Sequence, residues 1–363
     1  MDGSEAPAGR WDLYRLLAEP VRLRILGLAT EEELAVGELA ELLGEVQPNI
    51  SRHVGTLRQA GLVQVRRQGT WALVRFPEAL DRDPVIADAV ATGRALCIRD
   101  GSMARARELV AARDRGTREF FARAPSGAPD RDLEGPFGPP LELSAYLFAL
   151  SWLPPRRALP GHPLVAVDAG TGDGGMLEAL APVFGQVVAV DRSGVQLERC
   201  RARVRQRGFH TVRVVEGELS GPEVHAAVGP RGADVVVCAR VLHHAPRPAE
   251  AVKGLVSLLR RDGAGALLVL DYERHEDEAL RAHQADLWLG FEAPELVAFA
   301  REAGLPDAEV HTIPQAWCGD GPDRHLPWHV LVASGRPGAS DRDSHRSPGG
   351  DPSHDKASTR RRP

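Results

Sequence analysis

Lysine is nearly absent from this 363-residue chain: of its 45 basic residues, only Lys253 and Lys356 are lysines and the rest are arginines. A single arginine is therefore background here, and only a local concentration of them carries meaning. The net charge of −5 excludes a uniformly basic coat, so nucleic acid has to be met by a patch. The four cysteines, Cys97, Cys200, Cys238 and Cys318, stand far apart with no CxxC pair. That excludes a cysteine zinc knuckle and the dense disulfide framework of a small secreted fold, and it fits reduced thiols. No metal site is expected. Apolar runs such as Ala264 to Leu270 fall far short of the roughly 18 residues of a membrane span, and MDGSEAPAGRW has no apolar leader. A soluble, cytoplasmic protein with no membrane partner is the expectation.

What is present is globular: 43% hydrophobic and 26% charged residues, in a chain long enough for two or three domains. Three changes of texture divide it. Residues 1–78 form a compact charged segment. Residues 79–140 hold Arg-rich helical stretches and then a Pro/Gly-dense loop, Ala124 to Pro140, where a boundary is expected. Here Val85, Ile86, Ala89 and Val90, and then Leu109, Val110, Phe120 and Phe121, make apolar stripes suited to a dimer interface or to passing strain between domains. Residues 141–334 alternate β-branched runs (Leu164 to Val167, Val187 to Val190, Val212 to Val215, Val235 to Val237, Ala266 to Leu270) with helical stretches. That alternation reads as a doubly wound α/β sheet, with Leu141, Tyr146, Leu147 and Leu150 marking a helix packed on it. Residues 335–363 have too few apolar groups to offset their ordering entropy, so a disordered tail is expected, its Arg360, Arg361 and Arg362 a solvated charge run.

In the first segment charge is segregated. Glu31, Glu32, Glu33, Glu38, Glu41 and Glu45 fall between residues 30 and 45 without one base, whereas Arg52, Arg58, Arg66, Arg67 and Arg75 fall between 47 and 76 without one acid. A polyanion has one place to dock. Val36, Leu39, Ala40 and Leu43 follow helical spacing until Gly44. After Pro48, Ile50, Val54 and Leu57 form the buried stripe of a second helix, opposite Asn49, Arg52, His53 and Thr56. Helix, short turn, helix is the major-groove reader: Gln47 and Asn49 for base edges, Arg52 for phosphate or guanine, Thr56 for phosphate or a methyl group. Strands Leu62 to Arg66 and Thr70 to Phe76 around a Gln68, Gly69 turn make a wing, placing Arg66 and Arg67 at the DNA backbone.

The stretch from LYRLLAEPVRLRILG through QPNISRHVGTLRQAGLV to WALVRF resembles the ArsR/SmtB-type winged-helix regulators over nearly its whole length. The resemblance implies a homodimer on a roughly palindromic double-stranded operator, with the helix Gln47 to Ala60 in the groove. Many such regulators bind metals through cysteines on the preceding helix; ELAVGELA has no thiol, so another signal is expected.

The strongest chemical motif is VAVDAGTGDGG, an apolar strand followed by Asp168, Gly170, Gly172, Gly174 and Gly175. Glycines at a strand-to-helix turn let backbone approach a ligand. Gly170, Gly172 and Gly175 also satisfy the dinucleotide pattern, which leaves a nicotinamide-dependent oxidoreductase as a third reading. Asp191 ends the next strand, where a carboxylate accepts ribose hydroxyls. Asp168 at the loop entrance is unhelpful beside a pyrophosphate but useful beside a ligand with an ammonium group and a sulfonium, such as S-adenosylmethionine. In order, VDAGTGDGG, VVAVDRS, VEGEL, VLHHAPRPAEAV and LLRRDGAGALLVLDY resemble the class I S-adenosylmethionine-dependent methyltransferases. The resemblance implies that Asp168 and the Gly170 to Gly174 backbone hold the amino-acid end, Asp191 the ribose and Glu218 the adenine amino group. Glu218 stands where Asp is usual.

After the fourth strand, ARVLHHAP has no N-P-P-aromatic run, which argues against methylation of base amines in the bound DNA. His243 and His244 are candidate bases for a small-molecule acceptor, because imidazole titrates near neutral pH. His275, Trp288 and Phe291 close over the acceptor side or pack in the core. Two functions follow: a regulator whose methyltransferase domain senses S-adenosylmethionine or S-adenosylhomocysteine, or an enzyme that methylates a small molecule and carries an accessory winged helix.

Overall fold

The computed structural model describes residues 9–68, 71–77, 80, 82–123, 140, 142–154, 162–318, 323 and 325–335. The Ala124 to Pro140 loop (except Pro140), Leu141, Gly69 of the wing turn and the tail after residue 335 lie outside them.

The N-terminal part is α1 (Arg10–Leu17), α2 (Pro20–Ala29), β1 (Leu34–Ala35), α3 (Val36–Leu43), α4 (Gln47–Gln59), β2 (Gln64–Gln68) and β3 (Trp71–Arg75). As its spacing demands, α3 stops at Gly44 in the left-handed region (φ 68°). Ile50, Val54 and Leu57 are the buried side of α4. The wing differs from the expectation by a shift of register. β2 runs to Gln68, paired with Trp71, so Gln68 is a strand residue instead of a turn residue. The two-residue β1 adds a third strand, in the order β1-β3-β2. Its sequence was too short to announce it.

Two long helices follow, α5 (Pro84–Arg99) and α6 (Ser102–Arg123). The Asp83 carboxylate caps α5 by accepting from the amides of Val85 and Ile86. α5 lies against α2 backbone to backbone: a Cβ on Gly93 would come within 1.8 Å of the Leu23 carbonyl oxygen, so only glycine allows the crossing. Ile86, Val90 and Cys97 of α5 and Met103 and Ala106 of α6 share one core with the winged helix.

The C-terminal part is α7 (Leu143–Ser151), β4 (Val165–Ala169), α8 (Leu177–Leu180), β5 (Gln186–Asp191), α9 (Gly194–Arg207), β6 (Val212–Glu216), α10 (Pro222–Val228), β7 (Val235–Ala239), α11 (Pro248–Ser257), β8 (Ala266–Tyr272), α12 (Ala279–Gln284), α13 (Ala293–Glu302), β9 (Asp307–Ile313) and β10 (Trp328–Ser334). The seven strands run β6-β5-β4-β7-β8-β10-β9. The five expected strands are parallel, whereas β10 is antiparallel to both β8 and β9, so the sheet is mixed. The order in which strands are laid down reverses at β4, between β5 and β7, which is the switch point where doubly wound sheets bind ligands. Strands β4, β7 and β8 are buried throughout or nearly so, and the two sheet faces each support a separate core. Within α7, Ala145, Tyr146 and Ala149 are buried while Leu147 is exposed, so the packed face is offset from the expected stripe. Among the described residues no helix is long and apolar enough to cross a membrane, and the four cysteines are buried free thiols.

Candidate functional site

At the switch point the chain leaves β4 through Asp168, whose side chain is buried and accepts a 2.6 Å hydrogen bond from the Thr171 hydroxyl. The loop folds back on β5: the amides of Gly170 and Thr171 both donate to the Val190 carbonyl at 2.8 Å. Gly170, Gly172 and Gly174 all have positive φ (80°, 54° and 87°). At Gly170 a Cβ would lie 2.4 Å from Val241, whereas at Gly172 it would meet nothing within 4 Å. The loop is thus closed on its protein side and open at Gly172. Asp191 braces it, accepting from the Gly172 amide (2.9 Å) and the Ser193 amide (2.8 Å). One loop therefore brings together the two acids that sequence reading singled out. Burial pushes the Asp168 carboxyl up to about 7 and also raises Asp191. A buried carboxylate with a single partner is a ready site for a cation, and in these respects the residues fit an S-adenosyl ligand.

Glu218 follows β6 and is exposed, ion-paired at 2.7 Å with Arg118 of α6. That pair belongs to a series. Asp114 binds Arg192 at 2.6 Å, the Ser193 hydroxyl donates to the Phe121 carbonyl at 3.4 Å, and the Phe121 ring stands edge-on to His244 with centroids 4.9 Å apart. So the C-terminal half of α6 lies beside the Arg192–Ser193 segment that follows Asp191, beside Glu218 and beside His244. Its N-terminal half and middle are tied to the winged helix: Arg105 donates to the Leu42 carbonyl at 2.9 Å, Arg107 pairs with Glu31, and Arg113, at the middle of the helix, pairs with Glu38 of α3. The apolar stripe marks α6 in the sequence but not its bridging role, since its partners lie up to 123 residues away along the chain, from Phe121 to His244.

His243 and His244, the candidate bases, form a 3-10 turn after β7. His243 is buried, its Nδ1 2.7 Å from Asp271 Oδ1. Burial opposes its protonation, but Asp271 and Asp286 outweigh burial and hold the ring above the ordinary imidazole value. Burial, and then His243, push His244 well below that value. Trp288 and Phe291 are core residues, and burial lowers His275 to about 4.

On α4, Gln47 and Arg52 are exposed and Asn49, His53 and Thr56 half-buried. Asn49 Nδ2 donates to Glu45 (2.8 Å), and the Thr56 hydroxyl donates to the Arg52 carbonyl (3.0 Å). His53 Nδ1 accepts from Arg22 at 3.3 Å. Its burial, with Arg22, lowers its basicity, so the ring is held as a neutral acceptor.

The wing corrects the expectation for Arg66. Arg67 is exposed, but Arg66 turns inward, bonded to Glu33 (2.6 Å), 3.3 Å from Glu295 of α13, and with its guanidinium 4.7 Å from the centroid of Trp288. Beside it Gln68 is fully buried, donating to the Gly290 carbonyl (2.7 Å) and accepting from the Leu289 amide (2.6 Å). Arg75 pairs with Glu302 and Arg247 with Glu32. The β2–β3 wing is therefore docked on the sheet domain, and a backbone contact to DNA through Arg66 is incompatible with this arrangement.

Known proteins match the two halves separately. A helix-turn-helix domain model covers residues 17–66 and a methyltransferase domain model residues 167–264. The HTH-type transcriptional regulator KmtR of Mycobacterium tuberculosis is 39% identical over 79 residues, 22% of this chain and 60% of that protein. The arsenical resistance operon repressor of Escherichia coli is 44% identical over 65 residues, 18% of this chain and 56% of its own. The chain thus spans less than two thirds of either regulator. The ubiquinone biosynthesis O-methyltransferase of Thiobacillus denitrificans is 30% identical over 172 residues, 44% of this chain and 72% of that protein. The chain belongs to the class I methyltransferases and carries an ArsR-type helix-turn-helix domain. Membership answers the ambiguity of the glycine pattern: the loop after β4 is a methyltransferase loop, with Asp168 at its entrance.

Proposed function

We propose that this ArsR-type methyltransferase fusion is a DNA-binding regulator whose affinity for operator DNA depends on S-adenosylmethionine or S-adenosylhomocysteine. The observation that carries the reading is α6, one helix bonded to α3 through Arg105 and Arg113 and to Arg192, Glu218 and Ser193 through Asp114, Arg118 and Phe121. The span from Arg105 to Phe121 is about 24 Å at 1.5 Å per residue, so a rigid element joins the loop to the DNA-reading unit. An adenosine held by Asp191 and Glu218 competes with Arg118 for Glu218, and Asp168 takes the ammonium end. In this reading Gln47, Asn49, Arg52 and Thr56 face the major groove, Arg67 the backbone, and a homodimer reads two half-sites.

The test is the affinity of the full chain for its upstream DNA at one stated salt concentration, alone and with saturating amounts of each ligand. A tenfold difference, about 1.4 kcal/mol of coupling, is expected, and Asp191→Ala abolishes it while leaving basal DNA binding. Indifference to both ligands sinks the sensor reading. Ligand binding itself carries a pH signature. A carboxyl raised to about 7 in the free protein favours folding while protonated and loses that contribution as pH rises through about 7. A cationic ligand prefers the ionised form, so its affinity climbs up to tenfold per pH unit below about 7 and levels above. Asp168→Asn flattens the profile, which calorimetry at several pH values reads directly.

The methylating-enzyme reading is favoured by the match to an O-methyltransferase and by the His243–Asp271 pair at the acceptor side. Turnover of a small phenolic or amine acceptor, with the DNA affinity unmoved by ligand, decides for it.

A further inference from the structure

Asp286 is an anomaly that neither reading uses. Its side chain is fully buried, and neither carboxylate oxygen has a hydrogen-bond partner among the described residues. An ionised carboxylate out of water costs several kcal/mol unless something compensates it. The groups facing it are His243 Nε2 at 3.6 Å and His244 Nδ1 at 3.7 Å from the same oxygen, Oδ1. Both distances are too long for hydrogen bonds. They are close to the edge of a ligand tetrahedron, about 3.4 Å when each ligand atom sits about 2.0–2.1 Å from a central ion. The three ligand atoms all lie within 4.8 Å of one another.

We propose that His243 Nε2, His244 Nδ1 and Asp286 form a binding site for a divalent transition metal ion of the zinc type, positioned by Asp271. Two nitrogens and one carboxylate are a donor set that suits such an ion, and three protein ligands leave a fourth position open. The surroundings are built for it. Asp271 Oδ1 lies 2.7 Å from His243 Nδ1, which orients the ring with Nε2 toward Asp286, the carboxylate–histidine–metal arrangement. The ion replaces the long 3.3 Å contact of His244 Nδ1 with the Ala285 carbonyl. The backbone enforces the approach. Ala285 is one of two non-glycine residues described with positive φ (59°), and it turns the chain at the end of α12 so that Asp286 points inward. The amides of Leu287 and Trp288 then both donate to the His243 carbonyl at 3.1 Å, stitching the aspartate's segment to the histidines' turn.

The site differs in place and chemistry from a thiolate site on α3. It adjoins the interdomain contacts on both sides: His244 touches Phe121 of α6, and Trp288, two residues after Asp286, lies under Arg66 of the wing.

The full chain, stripped with chelator, is titrated with cobalt(II) and then zinc(II). Expected are one equivalent of cobalt with the intense visible absorption of a four-coordinate ion, displacement by zinc, and a zinc-dependent rise in unfolding temperature. Asp286→Asn and His244→Gln each lower the affinity at least 100-fold. Asp271→Asn lowers it 10- to 100-fold, the size of effect usual for a group that orients a metal ligand. His225→Gln, on α10, changes nothing. Near-ultraviolet circular dichroism of the apo variants establishes that they fold, and the near-isosteric Asp286→Asn removes a buried charge without leaving a hole. Absence of the cobalt band, or zinc binding that Asp286→Asn leaves untouched, overturns the proposal. In either case Asp286 is the counter-charge of a protonated His243.

Discussion

The helix α4 and the wing β2–β3 come from one stretch of 30 residues with five arginines and no acid, yet they meet different surroundings. Arg52 and Arg58 on α4 are exposed, as is Arg67. Arg66 and Arg75, on the two wing strands, are each bonded to glutamates of the methyltransferase domain. Equal local charge therefore says nothing about availability. What separates the two is the position of acids remote in sequence: Glu33 from the acidic segment, and Glu295 and Glu302 from α13. The acidic segment itself changes meaning. Its glutamates look like a solvated face, but Glu31, Glu32, Glu33 and Glu38 pair with arginines of α5, α6, the wing and the residue before α11. The abundance of arginine suits this use, since a planar guanidinium bonds a carboxylate with two parallel N–H groups, as Arg66 does with Glu33.

The contrast can be broken most forcefully at Arg66. Removing one member of a buried ion-pair cluster leaves Glu33 and Glu295 uncompensated, so Arg66→Ala is expected to cost about 3–5 kcal/mol in denaturant unfolding and to separate the transitions of the two domains. A single transition of unchanged midpoint means that the wing is not docked in solution. Next in size is Gln68→Ala, which removes both hydrogen bonds to the 289–290 main chain and leaves buried groups unpaired. A loss of about 1–3 kcal/mol is expected, against a negligible change for Gln64→Ala, exposed on the same strand. On α4 the readout reverses. Arg52→Ala is expected to leave stability within about 0.5 kcal/mol and to weaken operator binding by about 1–3 kcal/mol. Unaltered DNA affinity would take α4 out of the groove. Arg67→Ala sets the smallest effect, a uniform weakening across sequences with the salt slope reduced by about one. An unaltered slope removes the wing from the DNA entirely.

The elements were largely legible because they rest on local physics. Helical spacing with a terminating glycine gave α3 and α4, and β-branched runs gave the five parallel strands to within two residues at each end. β9 and β10 are not singled out by the sequence reading: DAEVHTI alternates weakly at a sheet edge, and WHVLVAS, although the turn-rich CGDGPDRHLP precedes it, lies outside the regular alternation of strand and helix that marks the five parallel strands. The cofactor loop was legible for the same reason as the helices. Asp168, three glycines and Asp191 lie within 24 residues, and the requirement for positive φ writes itself as glycine. The wing register was misjudged by two residues because Gln68 looks like a turn residue, and no local signal marks a glutamine whose partners are main-chain groups more than 220 residues away.

The sequence alone settled α3, α4 and the five parallel strands, where the backbone must be glycine, and which acids sit beside that glycine loop, because each depends on neighbours a few residues apart. Only the tertiary structure decided which arginines of residues 47–76 stay exposed, that α6 joins α3 to the segment after Asp191, and that Asp286 stands against His243 and His244. Those outcomes depend on desolvation and on charges brought together from distant parts of the chain, which no window along the sequence contains.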